Sequence, residues 1–274
     1  MKNTQTNMLD RGELDERTHA SVKPPTFDSP HAERAHRKAR LAGACRIFAK
    51  YGYDHWVAGH ITVRDPVHRD RFWANPLGVS WSRIKASDLL QVDFDGNVVE
   101  GERPLNAAAF AIHAELHAGR EDIVAAVHAH TPFGRAWSAT GRPLEPVSQD
   151  HCAFYGDHAV FDDFTGAVYD RSESHRYLGV LGSGKALILQ NHGLLTVGAS
   201  VDEAAFWLHL LERCAQTMLL LKALVPPKDG PAYVVLSPDV AQHTRQQVGE
   251  PLHGWRGFQP LWDDALAEDP SFLD

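Results

Sequence analysis

The spacing of apolar residues along the chain alternates between a helical and an extended period, which predicts a mixed α/β fold. Ser29 is a candidate N-cap before Pro30 at a first helical position, and Gly52 marks the end of that helix. Asp202 and Glu203 fall in the first turn of the longest helical pattern, where the helix dipole favours acidic side chains. The helical patterns cover residues 30–52, 105–120, 132–141 and 200–224.

Short segments with β-branched residues and period-two alternation lie between these helices and predict strands. Asp95-Gly96 is a typical hairpin turn between two of them. Asn191-His192-Gly193 separates another pair of short strands. The predicted strand segments cover residues 60–66, 71–76, 89–101, 123–130 and 185–198.

The order of these elements predicts a single folded domain with less regular ends. Because helices and strands interleave, we expect one α/β domain over residues 31–225. Residues 1–30 are polar and contain two adjacent prolines, so we predict a flexible arm. Residues 226–274 are rich in proline and aromatic residues, and we expect this tail to pack on the domain or on a neighbouring subunit.

The composition is that of an ordinary globular protein, with 43% hydrophobic and 23% charged residues among 274. A net charge of −8 argues against non-specific binding to nucleic acids or to anionic membranes. No apolar stretch approaches the roughly 20 residues of a membrane span, and the polar N-terminus is not a secretory signal. The three scattered cysteines disfavour a thiolate metal site and fit a reducing compartment, so we expect a cytoplasmic protein. They are Cys45, Cys152 and Cys214.

Histidine is unusually frequent, and His128 and His130 stand one residue apart at the end of a predicted strand. Side chains at i and i+2 of a strand project to one face, about 6–7 Å apart at the backbone, so both imidazoles can converge on one ion. Two ligands seldom hold zinc or iron firmly, and His192 at another strand end is the natural third. On spacing alone, ordinary surface or core histidines are the commoner explanation in a chain with 17 of them.

A second histidine pair lies on a predicted helix. His113 and His117 are four residues apart and can in principle chelate an ion. Glu115 stands midway between them, which is not the arrangement of the HExxH zinc motif. We therefore expect an amphipathic helix that exposes these histidines on one face.

The chain contains, in this order, the stretches AGHITVRD, NPLGVSWSRIKASDLLQVDFDGNVVEG, IHAELHAGREDIVAAVHAHTP and ALILQNHGLLTVGASVDEAAFWLHLLERCAQ. In content and order they resemble the class II aldolase/adducin family, and the resemblance covers residues 35–225. It implies a three-layer α/β/α fold around a central, largely antiparallel sheet, usually assembled as a homotetramer. It also implies that His128, His130 and His192 bind one divalent metal ion per subunit.

The chain departs from the family pattern at the acid/base position. In the sugar-phosphate aldolases of the family, a Ser-Ser-Glu stretch provides the acid/base carboxylate at the metal and serines that grip the substrate phosphate. Ala107, Ala108 and Ala109 occupy the matching positions here. Alanine can neither transfer a proton nor donate a hydrogen bond to a phosphate.

Other phosphate-binding positions differ as well. The family's Gly-Asn is Gly59-His60 here, and its Thr-Gly is Leu77-Gly78. These correlated losses at one substrate pocket indicate a substrate that has no phosphate and more apolar character. Three neutral imidazoles leave the 2+ charge of a metal uncompensated, so we expect a small-molecule carboxylate, a 2-oxo or 2-hydroxy acid, as substrate.

Because the family's acid/base carboxylate is missing here, another residue must carry the proton. His60 replaces a phosphate-binding asparagine and is the favoured catalytic residue, although a structural histidine is the alternative. Tyr155 aligns near a tyrosine-glycine found in some aldolases and is the second candidate. Glu115 should project elsewhere on its helix. Three further residues are expected to lie outside the site, namely Asp150, His151 and His158.

These features predict a metal-dependent lyase or decarboxylase that cleaves a C–C bond next to the carbonyl of such an acid. Zn²⁺ suits that role, whereas Fe²⁺ in the same site would allow an oxygenase to decarboxylate an arylpyruvate or arylhydroxyacetate oxidatively. With small residues at the position of the missing acid, the chain resembles proteins of aminocoumarin antibiotic pathways, which act on a prenylated arylpyruvate. A non-catalytic adducin-like binding module is the third alternative, disfavoured because the chain ends in an acidic segment rather than a basic tail.

Overall fold

The computed structural model describes residues 22–166, 171–224 and 233–274, and a mixed eight-stranded sheet lies at its centre. The strands are β1 (His60–Arg64), β2 (Arg71–Ala74), β3 (Leu90–Asp93), β4 (Val98–Glu100), β5 (Ala125–Ala129), β6 (His158–Phe161), β7 (Ala186–Leu189) and β8 (Gly193–Gly198). They lie in the order β4-β3-β2-β1-β5-β8-β7-β6, and every neighbouring pair is antiparallel except β6 and β7.

Helices cover both faces of this sheet. They are α1 (Pro30–Lys50), α2 (Ala107–Gly119), α3 (Pro132–Ser138), α4 (Gln149–Cys152), α5 (Arg171–Leu181), α6 (Val201–Leu224), α7 (Pro238–Val248) and α8 (Pro251–Glu268). Helices α2 and α5 pack on one face, whereas α1, α3, α6 and α8 lie on the other side. The predicted α/β/α fold with a central, largely antiparallel sheet is therefore confirmed.

The sequence signals at the ends of α1 act as predicted. The Ser29 hydroxyl oxygen accepts a hydrogen bond from the backbone N–H of Ala32 at 3.2 Å, and Pro30 takes the first helical position, where no N–H is needed. The helix ends at Lys50, and Gly52 follows with a φ of 72°. Glycine adopts that left-handed conformation without a steric penalty.

Alternation along β5 sends its side chains into two environments. Val127 and Ala129 pack in the core on the α1 and α6 side, whereas Ala126 packs on the α2 and α5 side. His128 follows Ala126 at a spacing of two, so its ring also lies on the α2 side. His60 is paired directly with His128 across β1 and β5, which places both rings on the same face of the sheet.

The turn between β7 and β8 lies against the end of β5. Asn191 has a φ of 57° in this turn, and a Cβ on Gly193 would lie only 2.7 Å from the backbone oxygen of Ala129. A residue without a side chain is therefore needed for the two segments to approach this closely. As a result, His192 lies beside the strand end that carries His128.

The C-terminal residues pack on the domain of the same chain. Phe258 of α8 is fully buried in the core that α1 and α6 share, and the Gln259 amide donates to the Asp202 carboxylate at 2.9 Å. Most of the predicted arm, residues 1–21, lies outside the described residues. The pattern of apolar residues does not predict β6, α4 or α5. None of the described helices is long and apolar enough to cross a membrane.

Candidate metal centre

Three histidines converge at the neighbouring ends of two central strands of the sheet. His128 lies in β5, His130 directly follows that strand, and His192 precedes β8. One nitrogen of each ring lies within 4.8 Å of one nitrogen of each of the others, and the ring centroids are 5.0, 4.6 and 4.8 Å apart. The structure thus brings together the three predicted ligands, which we call the histidine triad.

The protonation state of the triad suits a cation. Burial lowers the pKa of His128 well below its ordinary value, and burial followed by the nearby His192 lowers the pKa of His130 to about 4. Burial also lowers the pKa of His192. All three rings are therefore neutral at pH 7, and each offers a nitrogen lone pair.

Hydrogen bonding leaves ring nitrogens of the triad available. The Nδ1 of His128 donates to the carbonyl oxygen of Leu194 at 2.9 Å, which fixes the neutral tautomer with its lone pair on Nε2. The Nδ1 of His192 is buried and has no hydrogen-bond partner among the described residues. An unpaired buried nitrogen is costly, and a bound group would relieve that cost. Zinc and iron both accept imidazole ligands, so the triad fits either ion.

His60 lies beside the triad, on the strand next to β5. Its ring centroid is 4.9 Å from that of His128, and its side chain is almost completely buried. Burial, followed by the charges of His192 and His130, lowers the pKa of His60 to about 3. The ring is thus a neutral hydrogen-bonding group beside the triad.

The expectation that α2 exposes His113 and His117 is wrong, because both side chains are fully buried. They face β1 instead of solvent, and each lies within hydrogen-bond distance of the Thr62 hydroxyl, at 2.5 and 2.8 Å. The Thr62 oxygen joins this histidine pair. Glu115 lies on another side of α2, 3.7 Å from His175 of α5.

The predicted substrate-binding residues Gly59, Leu77 and Gly78 differ in whether they contact the triad. A Cβ on Gly59 would lie 3.2 Å from the backbone oxygen of His128, so Gly59 directly borders the metal centre. Leu77 and Gly78 lie in the loop after β2, where the Leu77 N–H donates to the Pro104 carbonyl. Among the described residues, no hydrogen bond or ring contact links these two to the triad.

The alanines that replace the family's Ser-Ser-Glu stretch form the first turn of α2. The Asn106 side chain caps this turn by accepting from the Ala108 N–H at 3.0 Å. Ala107 is exposed, whereas Ala109 is fully buried one helical turn before His113. Positions i and i+4 share a helix face, so Ala109 lies on the side of α2 that carries His113 toward His60.

Tyr155 lies in the turn after α4, and no contact among the described residues links it to the triad. Its backbone N–H donates to the Cys152 carbonyl at 3.1 Å. His151 and His158 bond to backbone groups outside the triad, at the Cys214 carbonyl and the Leu144 N–H. Both side chains thus bond outside the triad, where the sequence predicts them to lie.

Several residues near the triad have no sequence signal of their own. Arg135 on α3 contributes to the lowered pKa of His130, and its guanidinium lies 3.3 Å from His55 Nε2. The His55 ring stacks on Trp56, which is 88% exposed. The ring of Phe164 lies 6.0 Å from that of His192. Of these residues, only Arg135 could have been found from its position in the chain, because it follows the predicted ligand His130 by five residues.

Comparisons with known proteins agree with this architecture. The chain is 47% identical over 250 residues to the decarboxylase NovR of Streptomyces niveus, and the match covers 90% of each chain. It is 46% identical to the 4-hydroxy-3-prenylphenylpyruvate oxygenase/4-hydroxy-3-prenylbenzoate synthase of Streptomyces roseochromogenus subsp. oscitans, over 90% of this chain and 88% of that relative.

A solved structure gives the same fold. The L-fuculose 1-phosphate aldolase from Glaciozyma antarctica PI12 superposes with a TM-score of 0.84 at 38% identity, over 92% of this chain and 96% of that one. The family model for the class II aldolase and adducin N-terminal domain matches residues 39–219. The chain therefore belongs to the class II aldolase/adducin family.

Proposed function

We propose that the protein is a metal-dependent enzyme that cleaves the C–C bond next to the carbonyl of a non-phosphorylated 2-oxo or 2-hydroxy acid. The observation that carries this proposal is the composition of the site. Three neutral imidazoles converge on one point, while Ala109 occupies the position of the family's acid/base carboxylate. A site of this kind keeps the metal ligands of an aldolase and lacks the serines that grip a phosphate.

The histidine triad would hold one Zn²⁺ or Fe²⁺ ion, which would act as a Lewis acid toward the carbonyl and carboxylate oxygens of the substrate. The protein supplies neutral ligands only, so the ion keeps its full positive charge toward that substrate. A chelating carboxylate is then favoured over a neutral sugar.

Arg135 adds a second positive charge beside the triad. No carboxylate of the described residues forms an ion pair with it, and its guanidinium is bonded only to the His55 ring. Its helix is held by Glu212, which accepts hydrogen bonds from the backbone N–H groups of Phe133 and Gly134 at 2.8 and 2.6 Å. A guanidinium on an anchored helix suits recognition of a substrate carboxylate.

Exposed aromatic side chains near the triad favour an aromatic acid as the substrate. Phe164 is 42% exposed beside His192, and the exposed Trp56 is joined to Arg135 through His55. Large exposed rings at a metal site offer stacking surface to an aryl group. The relative named as a prenylphenylpyruvate oxygenase supports an aromatic acid, and the relative named as a decarboxylase supports a carboxylate substrate.

The name of the second relative, an oxygenase, favours an alternative reaction that consumes O₂. With Fe²⁺ in the triad, this reaction would be an oxidative decarboxylation. Both reactions release the carboxyl carbon as CO₂, and only the oxidative one consumes oxygen. The metal and the requirement for O₂ therefore distinguish them.

The test uses 4-hydroxyphenylpyruvate, an aromatic 2-oxo acid, with protein loaded separately with Zn²⁺ or Fe²⁺. We expect CO₂ release that the His128→Ala variant lacks, and Arg135→Gln should raise KM about tenfold by removing a charge-assisted contact. Release without O₂ supports the lyase, and release only with Fe²⁺ and O₂ supports the oxygenase. Faster turnover of L-fuculose 1-phosphate than of any carboxylate would contradict the proposal.

A further inference from the structure

A buried chain of hydrogen bonds leads from the metal centre toward the far end of α2. His60 Nδ1 lies 2.6 Å from His113 Nε2, and His113 Nδ1 lies 2.5 Å from Thr62 Oγ1. Thr62 Oγ1 lies 2.8 Å from His117 Nε2, and His117 Nδ1 lies 3.2 Å from the carbonyl oxygen of Ile123. We call these groups the histidine chain. Its four side chains are at most 2% exposed.

The last acceptor sets the direction of every bond in the histidine chain, because a backbone carbonyl can only accept. His117 therefore donates from Nδ1 to Ile123, and as a neutral ring it accepts the Thr62 hydroxyl proton at Nε2. Thr62, having donated its single proton, accepts from His113 Nδ1. His113 Nε2 then accepts from His60 Nδ1, which leaves the lone pair of His60 on Nε2.

The neutral state of all three rings follows from their surroundings. Burial lowers the pKa of His60 and of His117 to about 3, and that of His113 well below its ordinary value. The cations Arg64 and Arg37 lower the pKa of His117 further, while its bond to the Ile123 carbonyl raises it. The histidine chain contains no carboxylate that would favour a charged ring, so its one-directional order of hydrogen-bond donors and acceptors holds at neutral pH.

His60 is the end of the histidine chain that lies at the metal centre. Its ring is next to that of His128, and its Nδ1 is occupied by His113 of α2. No hydrogen bond from the described residues reaches its Nε2. This nitrogen is therefore the one that can meet a group bound at the triad.

We propose that Thr62 is a positioning residue whose hydroxyl, through His113, holds His60 in the Nδ1–H tautomer and so presents Nε2 as an acceptor to a substrate hydroxyl. The catalytic meaning of this arrangement rests on the proposed function, whereas the tautomer itself does not. A purely structural role for Thr62 predicts a loss of stability and no change in the tautomer of His60.

Nitrogen-15 NMR of metal-free, histidine-labelled protein reads the tautomer directly. We expect a single Nδ1–H form of His60 in the wild type and in Thr62→Ser, which keeps the hydroxyl. Thr62→Val removes the hydroxyl at constant volume and should yield a mixture of the two tautomers. Thr196→Val is the matched control, because Thr196 is a fully buried hydroxyl of β8 that donates to Ala204 at 2.7 Å, outside the histidine chain.

A second pair of variants tests the direction at the far end of the histidine chain. His117→Leu frees the Thr62 hydroxyl to donate toward His113, so the Nε2–H tautomer of His60 should become populated. His117→Gln can accept from Thr62 with its oxygen and donate to Ile123 with its nitrogen, so the wild-type tautomer should persist. An Nε2–H form of His60 in the wild type, or an unchanged tautomer in both Thr62→Val and His117→Leu, would overturn the proposal.

Turnover gives the functional readout. In Thr62→Val we expect kcat with an aromatic 2-hydroxy acid, which carries a hydroxyl beside its carboxylate, to fall at least tenfold, with metal content and KM unchanged and with activity restored in Thr62→Ser. A fall no larger than in Thr196→Val would overturn the positioning role. The expected tautomers in a protein that turns over no acid would support the histidine chain and refute the proposed function, so the two failures are distinguishable.

Discussion

At the residue scale, the candidate metal centre consists mainly of neutral side chains. The triad contains no carboxylate, and an alanine stands at position 109, where the family's aldolases carry their acid/base. Under the proposed function, an ion held by such ligands would keep its full charge for the substrate, and Arg135 would add to that charge. The same proposal has this combination favour a carboxylate over a sugar phosphate as the substrate.

Removal of one ligand tests the triad directly. In His128→Ala we expect loss of stoichiometric zinc or iron, because two histidines seldom hold either ion firmly. Metal analysis of the purified variant measures this, with His68→Ala as the control because His68 is an exposed histidine on the loop after β1. Retention of one ion per chain in His128→Ala would refute the assignment of the triad.

The sequence predicts some of these residues and not others for a physical reason. His128 and His130 share a strand face, and family order adds His192, so the triad can be predicted from spacing and motif. Thr62 is a single hydroxyl on a buried strand with no periodicity to mark it. His113 and His117 look like a polar stripe in the sequence, yet their mutual partner Thr62 allows both to be buried.

Boundaries at the scale of elements follow the strength of the local signals. Helix α1 has a serine cap and a proline at its start, and its limits are predicted to within two residues. Strand β6 pairs with one neighbour only, and three of its four residues are half-buried, so no alternation of apolar and polar residues marks it in the sequence. Helix α5 begins with polar residues, including the buried Glu173 and Ser174, which hides its packing face.

The close approach of the β7–β8 turn to β5 gives an element-scale prediction. In Gly193→Ala the new Cβ would meet the Ala129 backbone oxygen at 2.7 Å, so the turn carrying His192 must shift. We expect a loss of about 1–3 kcal/mol of unfolding free energy and weaker metal binding. Gly179→Ala on α5, which has open space around its Cβ, should leave metal binding unchanged in a titration and should raise the unfolding free energy by up to about 1 kcal/mol, because alanine favours a helix over glycine. Equal effects of both substitutions would contradict this account of the turn.

The whole molecule combines buried cores on both faces of the sheet with a candidate site at the ends of the central strands β5 and β8. The alternation of helices and strands predicts an α/β domain, and the family resemblance implies its three α/β/α layers. The order of the strands is not contained in the local pattern, because β1 pairs with β5 and β5 with β8 through contacts distant in sequence. The family resemblance supplies that long-range information, and the pairing of β1 with β5 is what places His60 opposite His128.

Burial of many neutral histidines makes the stability of the whole molecule sensitive to pH. The pKa of His60 and of His117 is about 3 in the folded protein against 6.5 in an unfolded chain, so the unfolded state binds more protons between these values. The stability that neutral burial contributes is present above pH 6.5 and is lost as the pH falls toward 3. Each such group contributes a slope of about 1 kcal/mol per pH unit in this range.

Urea unfolding of metal-free protein from pH 7 to 4.5 measures this slope in a window where most carboxylates stay ionised. We expect His117→Gln, which keeps the hydrogen bonds of the ring without its proton affinity, to flatten the dependence by about 1 kcal/mol per pH unit. The His68→Ala control removes an exposed side chain and should leave the slope unchanged. An identical slope for the wild type and His117→Gln would show that His117 is not buried as a neutral ring.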